Sequence, residues 1–392
     1  MLEPSGQFGT RLAGGADAAS PRYIFTQLAP IARCLFPEVD DALLTHREDD
    51  GQMIEPEFYC PVIPLLLVNG SQGIGTGWST FVPPHNPRDV LDYIRAKLDG
   101  AEEKPPIRPF ARGFQGLIEA LSDGTGYVTR GKASRDSDKS VTISELPLRC
   151  WTNSYKEQLL RMRNNGDISS FVENHTTSKV SFTVQLQAAK LTRMVRTGLE
   201  KAFKLETNLR ITNMHAFDEN YEMRKFDSAE SIADAFFPQR LALYHDRKSV
   251  LESEMNYDAA VLRNKAQFIQ AVTAGEVDLM SGKKTKEQTT TSLQDLGLTK
   301  STDLLAIRDN NALTKRRLLK EEDIDGITDR NDVPLSSQYD YLLSMPISSL
   351  TAEKIADLQK EASKKELDFE QLQNTSPEDL WRADLDKLAA LL

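Results

Sequence analysis

Apolar positions fall into two regimes along the 392 residues, helical at the far end and strand-like in the middle. Toward the end, Ile355, Leu358, Ala362, Lys365, Phe369 and Leu372 recur at alternating three- and four-residue intervals. That is a heptad seam with one basic residue in it. Ser376 and Pro377 then start another helix as cap and first turn. Upstream, Ile232, Phe236, Leu243, Val250, Leu251, Met255, Val261, Leu262, Phe268 and Ile269 predict a second long helix. DSAE over 227–230 reads as its capping box, with Asp227 as cap and Glu230 reaching back. Pro238 predicts a kink. Two such helices, each with one apolar stripe, pair most simply antiparallel. Residues 275–345, short helices and loops by pattern, would lie at the far tip of that stalk.

The middle of the chain alternates instead. FQGLIEAL, GYVTRG and SVTISEL within 113–146, and FTVQL at 182–186, are strand-like runs separated by glycines and Asp/Ser clusters. They predict antiparallel β-structure. Residues 54–70, IEPEFYCPVIPLLLVNG, read as a short buried strand with edges and turns, because Pro61 and Pro64 exclude a central strand. Ile24, Phe25, Leu28, Ile31 and Leu35 predict a helix over 22–36, interrupted at Pro30. A glycine-rich loop, SGQFGTRLAGGADAA at 5–19, precedes it.

Composition sets the scale. With 40% apolar and 27% charged residues, the chain can build two or three cores. Cys34, Cys60 and Cys150 form no CxxC pair, and the five histidines show no HxxxH spacing, which argues against disulfides and a zinc site. No apolar run reaches the roughly 18 residues of a membrane span. The first residues, MLEPSGQFGT, lack a signal-peptide pattern and read as entering mid-element, like a piece of a longer protein.

The net charge of −10 is unevenly distributed. Residues 1–90 carry 5 basic and 11 acidic side chains, residues 91–225 carry 22 and 17, and residues 226–392 carry 21 and 30. The basic middle third includes Arg193, Arg196, Lys201, Lys204 and Arg210 close together. A local basic surface suffices to hold phosphates, although a charge run is also what a solvated helix face looks like.

SPRYIF at 20–25 carries the candidate chemistry. Tyr23 alone could be a core ring. Its neighbours argue otherwise. GQFGTR (6–11), SPRYIF, EPEFYCPVIPLLLVNGSQGIGTGWS (55–79), ISELPLRCWTNSYKE (143–157) and YDYLLSMPISSLTAEK (339–354) together resemble the cleavage core of a type IIA DNA topoisomerase. The GIGTG turn favours the eukaryotic type.

This resemblance implies a multidomain α+β fold. Residues 1–60 would be the later part of a winged-helix unit carrying the nucleophilic tyrosine. Residues 61–222 would form a β-rich tower, and 223–392 an antiparallel coiled-coil stalk with a helical exit gate. It implies Tyr23 as nucleophile and Arg22 as its partner at the scissile phosphate. Ile74 would wedge between base pairs and bend the duplex. Gln7 and Arg11 of the glycine-rich loop, with Gly73, Gly75 and Thr76 around Ile74, would lie against DNA. The family often has basic residues where Ala13 and Ala16 stand, and an acidic one where Gln72 stands.

The implied function is ATP-dependent: cut both strands of one duplex through a 5′-phosphotyrosyl link, pass a second duplex, and reseal. It relaxes and decatenates DNA. Magnesium and ATP would be bound by metal-binding and ATPase domains that this chain does not contain. A catalytic histidine would also lie outside it, so the chain alone is not expected to cleave. No metal-ligand set is expected within it; Glu48, Asp49 and Asp50 read as a solvated loop. The implied partners are double-stranded DNA, a second copy of the chain and those missing domains, with no membrane. Leu296, Leu298, Leu304, Leu305, Leu318 and Leu319 would form the contact between copies, or else the tip's own core. The expected compartment is the nucleus, with the mitochondrion as alternative. The other reading of the same fold is a DNA-clamping or dimerisation module without chemistry, for which the Arg22–Tyr23 pair has no use.

Overall fold

Helices and small antiparallel sheets make up the computed structural model, which describes residues 1–277, 285–309, 334, 337–346 and 351–392. The chain divides into two discontinuous units. One contains Met1–Phe36, Pro61–Gln239 and Asp384–Leu392; the other contains Pro37–Cys60 and Arg240–Ala383.

The first unit is built around a four-stranded sheet in the order Ser170–Glu173, Phe182–Gln185, Ser140–Glu145, Lys132–Arg135, antiparallel throughout. Alternation along Ser140–Glu145 turns Val141, Ile143 and Glu145 inward. Val141 and Ile143 join Phe182 and Val184 in a core closed by Tyr155 and Leu159 of the helix Thr152–Asn164. A second sheet orders Glu206–Arg210, Gly126–Arg130 and Leu117–Ala120. The strands expected within 113–146 therefore form, but they belong to two sheets.

Two expectations for this unit need correction. Residues 22–36 are not a helix broken at Pro30. Pro21–Tyr23 is a 3-10 turn, Phe25–Leu28 is a strand, and only Ala32–Leu35 is helical. The strand pairs with Leu2–Ser5, Leu2 opposite Leu28, and all four of its residues are exposed. The three-to-four spacing of its apolar residues thus serves no buried face. Residues 54–70 are likewise not one buried strand. Gln52–Pro56 is a strand of the other unit, whereas Leu65–Asn69 is a helix whose cap is Pro64. Proline lacks an N–H, and the start of a helix does not need one. Gly70 ends this helix at φ +68°, where a Cβ would lie 2.7 Å from the Val82 carbonyl oxygen.

The helix Ala229–Thr273 runs through Pro238 without interruption. Its cap lies one residue later than expected. Ser228 Oγ accepts the Ser231 N–H at 3.1 Å and Ser231 Oγ accepts the Ser228 N–H at 3.3 Å. Glu230 faces elsewhere and accepts the Ile107 N–H at 3.0 Å.

In the second unit, that helix packs antiparallel to Ala352–Asn374. Lys248 Nζ donates to the Gln373 carbonyl at 2.9 Å, Asp258 pairs with Lys365 at 2.8 Å and Arg263 with Glu366 at 2.6 Å. Of the seam, Leu358, Ala362 and Leu372 are buried, and Lys365, its one basic member, is neutralised by Asp258. Helices Lys286–Asp295, Ser301–Asp309 and Asp340–Leu343 provide the short elements expected between 275 and 345. Leu298 and Leu304 are buried within this chain, with Leu293, Tyr339 and Leu342 in the same unit, so they serve its own core. Leu296 packs against that core and Leu305 is half-buried. Leu318 and Leu319 lie outside the described residues.

Candidate functional site

Tyr23 stands on the 3-10 turn Pro21–Tyr23, with Pro21 at its first position and the Tyr23 N–H bonded to the Ser20 carbonyl at 2.9 Å. Its side chain is 64% exposed, which excludes a core ring. The Arg22 guanidinium lies over the Tyr23 ring, 4.9 Å from its centroid. A cation stacked there stays beside the phenol without blocking its oxygen.

The glycine-rich loop lies against this turn. Gly6 packs on Ile24, and the Ala19 N–H bonds to the Gln7 carbonyl at 2.9 Å. Asp17 closes the loop, accepting the Thr10 N–H at 2.8 Å and the Thr10 hydroxyl at 2.5 Å. The hydroxyl bond, and then the N–H, hold the Asp17 carboxyl below its ordinary value of 3.8. The stabilisation is therefore complete above pH 3.8 and is lost as pH falls below it, through the lowered folded value. We expect amide exchange at Thr10 to accelerate below about pH 4 and, in Asp17→Asn, at every pH. Exchange at Thr10 unaffected by Asp17→Asn would dismiss the closure.

Two further motifs meet the loop. Glu145, 2% exposed, accepts Arg11 Nη1 at 3.3 Å, pairs with Arg11 Nη2, and accepts the Gln115 and Leu146 N–H groups at 3.0 and 2.8 Å. The Arg11 charge is thereby committed to anchoring the loop. Gly14, at φ +65°, presses so closely on Trp151 that a Cβ would lie 2.2 Å from the indole. The Asn153 N–H donates to the Leu12 carbonyl at 3.0 Å.

From the same segment, Arg149 stacks over Phe81 at 4.7 Å and reaches Gln72 Oε1 at 3.4 Å. Those two residues face each other across the hairpin of Ser71–Ile74 and Ser79–Val82. Gln72, where the family often has an acid, thus accepts from an arginine. Ile74 ends the first strand and is 87% exposed. Gly73, Gly75 and Thr76 are exposed around it, and the turn closes through the Gly75 N–H to the Trp78 carbonyl at 2.8 Å. A neighbouring hairpin braces it: Thr80 Oγ1 donates to the His215 carbonyl at 2.7 Å, and the Phe81 N–H donates to the Asn213 carbonyl at 2.9 Å.

Three separated motifs are thus chained by contact: the loop beside Tyr23, the segment 145–153, and the Ile74 hairpin. In the sequence the middle one stands out only as a whole. Glu145, Arg149 and Trp151 were legible as part of ISELPLRCW, without individual roles. Thr80 and His215 left no signal.

An exposed tyrosine with a stacked arginine, held beside a glycine-rich loop, and an apolar side chain on a braced turn define a protein built for phosphodiester chemistry on a deformable polymer. The family model for the DNA-gyrase/topoisomerase IV type of chain matches residues 1–386, and the chain belongs to that family. More particularly, DNA topoisomerase 2 of Plasmodium falciparum is 38% identical over 397 residues, which is 99% of this chain and 28% of that protein. DNA topoisomerase 2-alpha of Gallus gallus is 39% identical over 391 residues, 98% of this chain and 24% of that protein. The crystal structure of the Plasmodium falciparum topoisomerase II DNA-binding, cleavage and re-ligation domain superposes with a TM-score of 0.81 at 38% identity. That match covers 99% of this chain and 52% of the other. These relatives are of the eukaryotic type that GIGTG implied. The chain spans about a quarter of the length of the curated relatives it matches.

Proposed function

We propose that this chain is the nucleophile-bearing part of a type IIA DNA topoisomerase. The observation that carries the proposal is the exposed Arg22–Tyr23 pair on its short turn. In this reading the Tyr23 oxygen attacks a backbone phosphorus, and the P–O3′ bond breaks. The phenol gives up its proton and the departing 3′ oxygen takes one up. The phosphotyrosyl ester keeps the bond energy, so the 3′ hydroxyl reverses the step without fuel. Arg22 supplies positive charge to the phosphorane oxygens as they gain charge. A non-catalytic clamp would need neither group exposed.

Residues 1–60 serve in this proposal as winged-helix remnant, 61–222 as tower, and 223–392 as stalk and exit gate. Two copies are required, one tyrosine per strand, which gives a twofold dimer. Gln7, Gly73, Gly75 and Thr76 face the duplex, and Arg11 positions the loop. Nuclear residence goes with this role, the mitochondrion being the alternative. Among the described residues, no three His, Cys, Asp or Glu side chains are grouped to hold a metal ion. The described residues therefore do not fit magnesium; the magnesium and ATP of the family belong to other domains. No helix among the described residues is long and apolar enough to cross a membrane.

Ile74 acts as the bending wedge. Inserting it at a base step costs a few kcal/mol of unstacking, offset by contacts along the bent duplex. Ile74→Ala should straighten the bound duplex, read as a drop in energy transfer between dyes at its two ends, with affinity nearly kept. An unchanged bend removes Ile74 from this role. For the function as a whole, the test is capture of a covalent link between this chain and a DNA 5′ end, once a relative's metal-binding domain and magnesium are supplied.

A further inference from the structure

The helices Thr152–Asn164 and Ala188–Thr197 face each other across a hollow of about 750 Å³. Four cations line it, Arg161, Lys190, Arg193 and Lys204, against two carboxylates, Glu157 and Asp167. Glu157 is 3.9 Å from Arg161, and Lys190 Nζ is tied to the Gly166 carbonyl. Arg193 and Lys204 have no side-chain partner among the described residues. Lys204 also sits at φ +53°, a left-handed conformation that costs a lysine about 1–3 kcal/mol and a glycine almost nothing. The backbone is thus strained while presenting a free charge to a cation-lined hollow. The hollow belongs to the one third of the chain that is net basic.

Its position gives it a ligand. The helix Thr152–Asn164 starts where Trp151 and Asn153 hold the glycine-rich loop beside Tyr23. Arg161 lies about two turns farther along, roughly 12 Å at 1.5 Å per residue. We propose that the hollow is a phosphate subsite for the duplex arm leaving the cut, beyond the base pairs handled by Tyr23 and Ile74. This rests on the duplex-binding reading above. Phosphodiester and free polyphosphate share the chemistry that four cations recognise, and the test separates them.

The test uses the whole chain with Arg193→Gln and Lys204→Gly combined; glycine accepts the backbone at 204 without strain, so the fold is kept. Binding is measured against salt on two duplexes centred on the cut, one of about 16 and one of about 40 base pairs, arms of roughly 27 and 68 Å at 3.4 Å per pair. On the longer duplex the variant should lose about 2 from the slope of log K against log salt, about 0.9 per phosphate contact. On the shorter one it should match the parent. Asp167→Asn should move binding the other way, tightening the longer duplex only. Equal slopes on both duplexes overturn the subsite, and so does an equal loss on both, which would mark a general field. Tripolyphosphate binding that the double variant abolishes, with duplex slopes untouched, overturns the duplex as its ligand. A parent chain with no affinity for either duplex overturns the duplex-binding reading itself.

Discussion

Tyr23→Phe is expected to lower strand cleavage at least ~10⁴-fold, to about the limit of detection, in an assembly that supplies the missing metal-binding domain. Only the phenolic oxygen is removed. The ring that carries the Arg22 guanidinium at 4.9 Å remains, as does the 3-10 turn fixed by Pro21 and Ser20. Duplex affinity should therefore stay within about twofold, the scale of an exposed substitution that breaks no named contact. Arg22→Gln should act differently. It leaves the nucleophile and removes the charge that meets the phosphorane, so cleavage should fall roughly 10²–10³-fold. Residual adduct at parental level in Tyr23→Phe would show that another residue attacks.

Asp40→Ala should be the most destabilising single change in the second unit. Asp40 Oδ1 accepts Arg247 Nε at 2.6 Å, and Oδ2 accepts Arg247 Nη2 and Arg240 Nη2, both at 2.8 Å. Arg240 is fully buried and Arg247 is 4% exposed. Tyr244 lies between the two guanidinium groups, 4.4 and 4.3 Å from them, and stacks on Trp381 at 5.4 Å. Removing one carboxylate leaves two buried positive charges side by side. Breaking a buried pair in this way costs about 3–5 kcal/mol. At roughly 2–4 °C per kcal/mol for a unit of this size, the melting temperature should fall by about 6–20 °C. Asp40→Asn should fall between parent and alanine, because it keeps hydrogen-bond acceptance and loses charge. A loss under about 1 kcal/mol in Asp40→Ala would show that water reaches and compensates the arginines.

What the sequence revealed depended on whether one physical rule acted alone. The seam from Ile355 to Leu372 was legible because a long helix with one buried face leaves a period in the chain. Its single irregularity, Lys365, is resolved by Asp258 on the facing helix, which no local pattern encodes. Phe25–Leu28 misled for the opposite reason. Its apolar residues are exposed, and its structure comes from pairing with Leu2–Ser5, more than twenty residues away. The helix cap slipped by one residue because Ser228 and Ser231 make the same reciprocal bonds that Asp227 and Glu230 could have made, while Glu230 is drawn to Ile107. At the site, Tyr23, Arg22 and Ile74 stood out through their motifs. Their supports did not: Glu145 under Arg11, Trp151 under Gly14 and Arg149 over Phe81 are contacts between distant segments.

The central claim is that Tyr23 forms the covalent bond. It is tested by supplying a relative's metal-binding domain and magnesium, trapping the cleaved complex with denaturant, digesting it and sequencing the nucleotide-bearing peptide by mass spectrometry. The account predicts a single modified peptide spanning the 3-10 turn Pro21–Tyr23, with the nucleotide on Tyr23 through its 5′ phosphate. A nucleotide on any other residue of this chain, or a 3′ linkage, would contradict it.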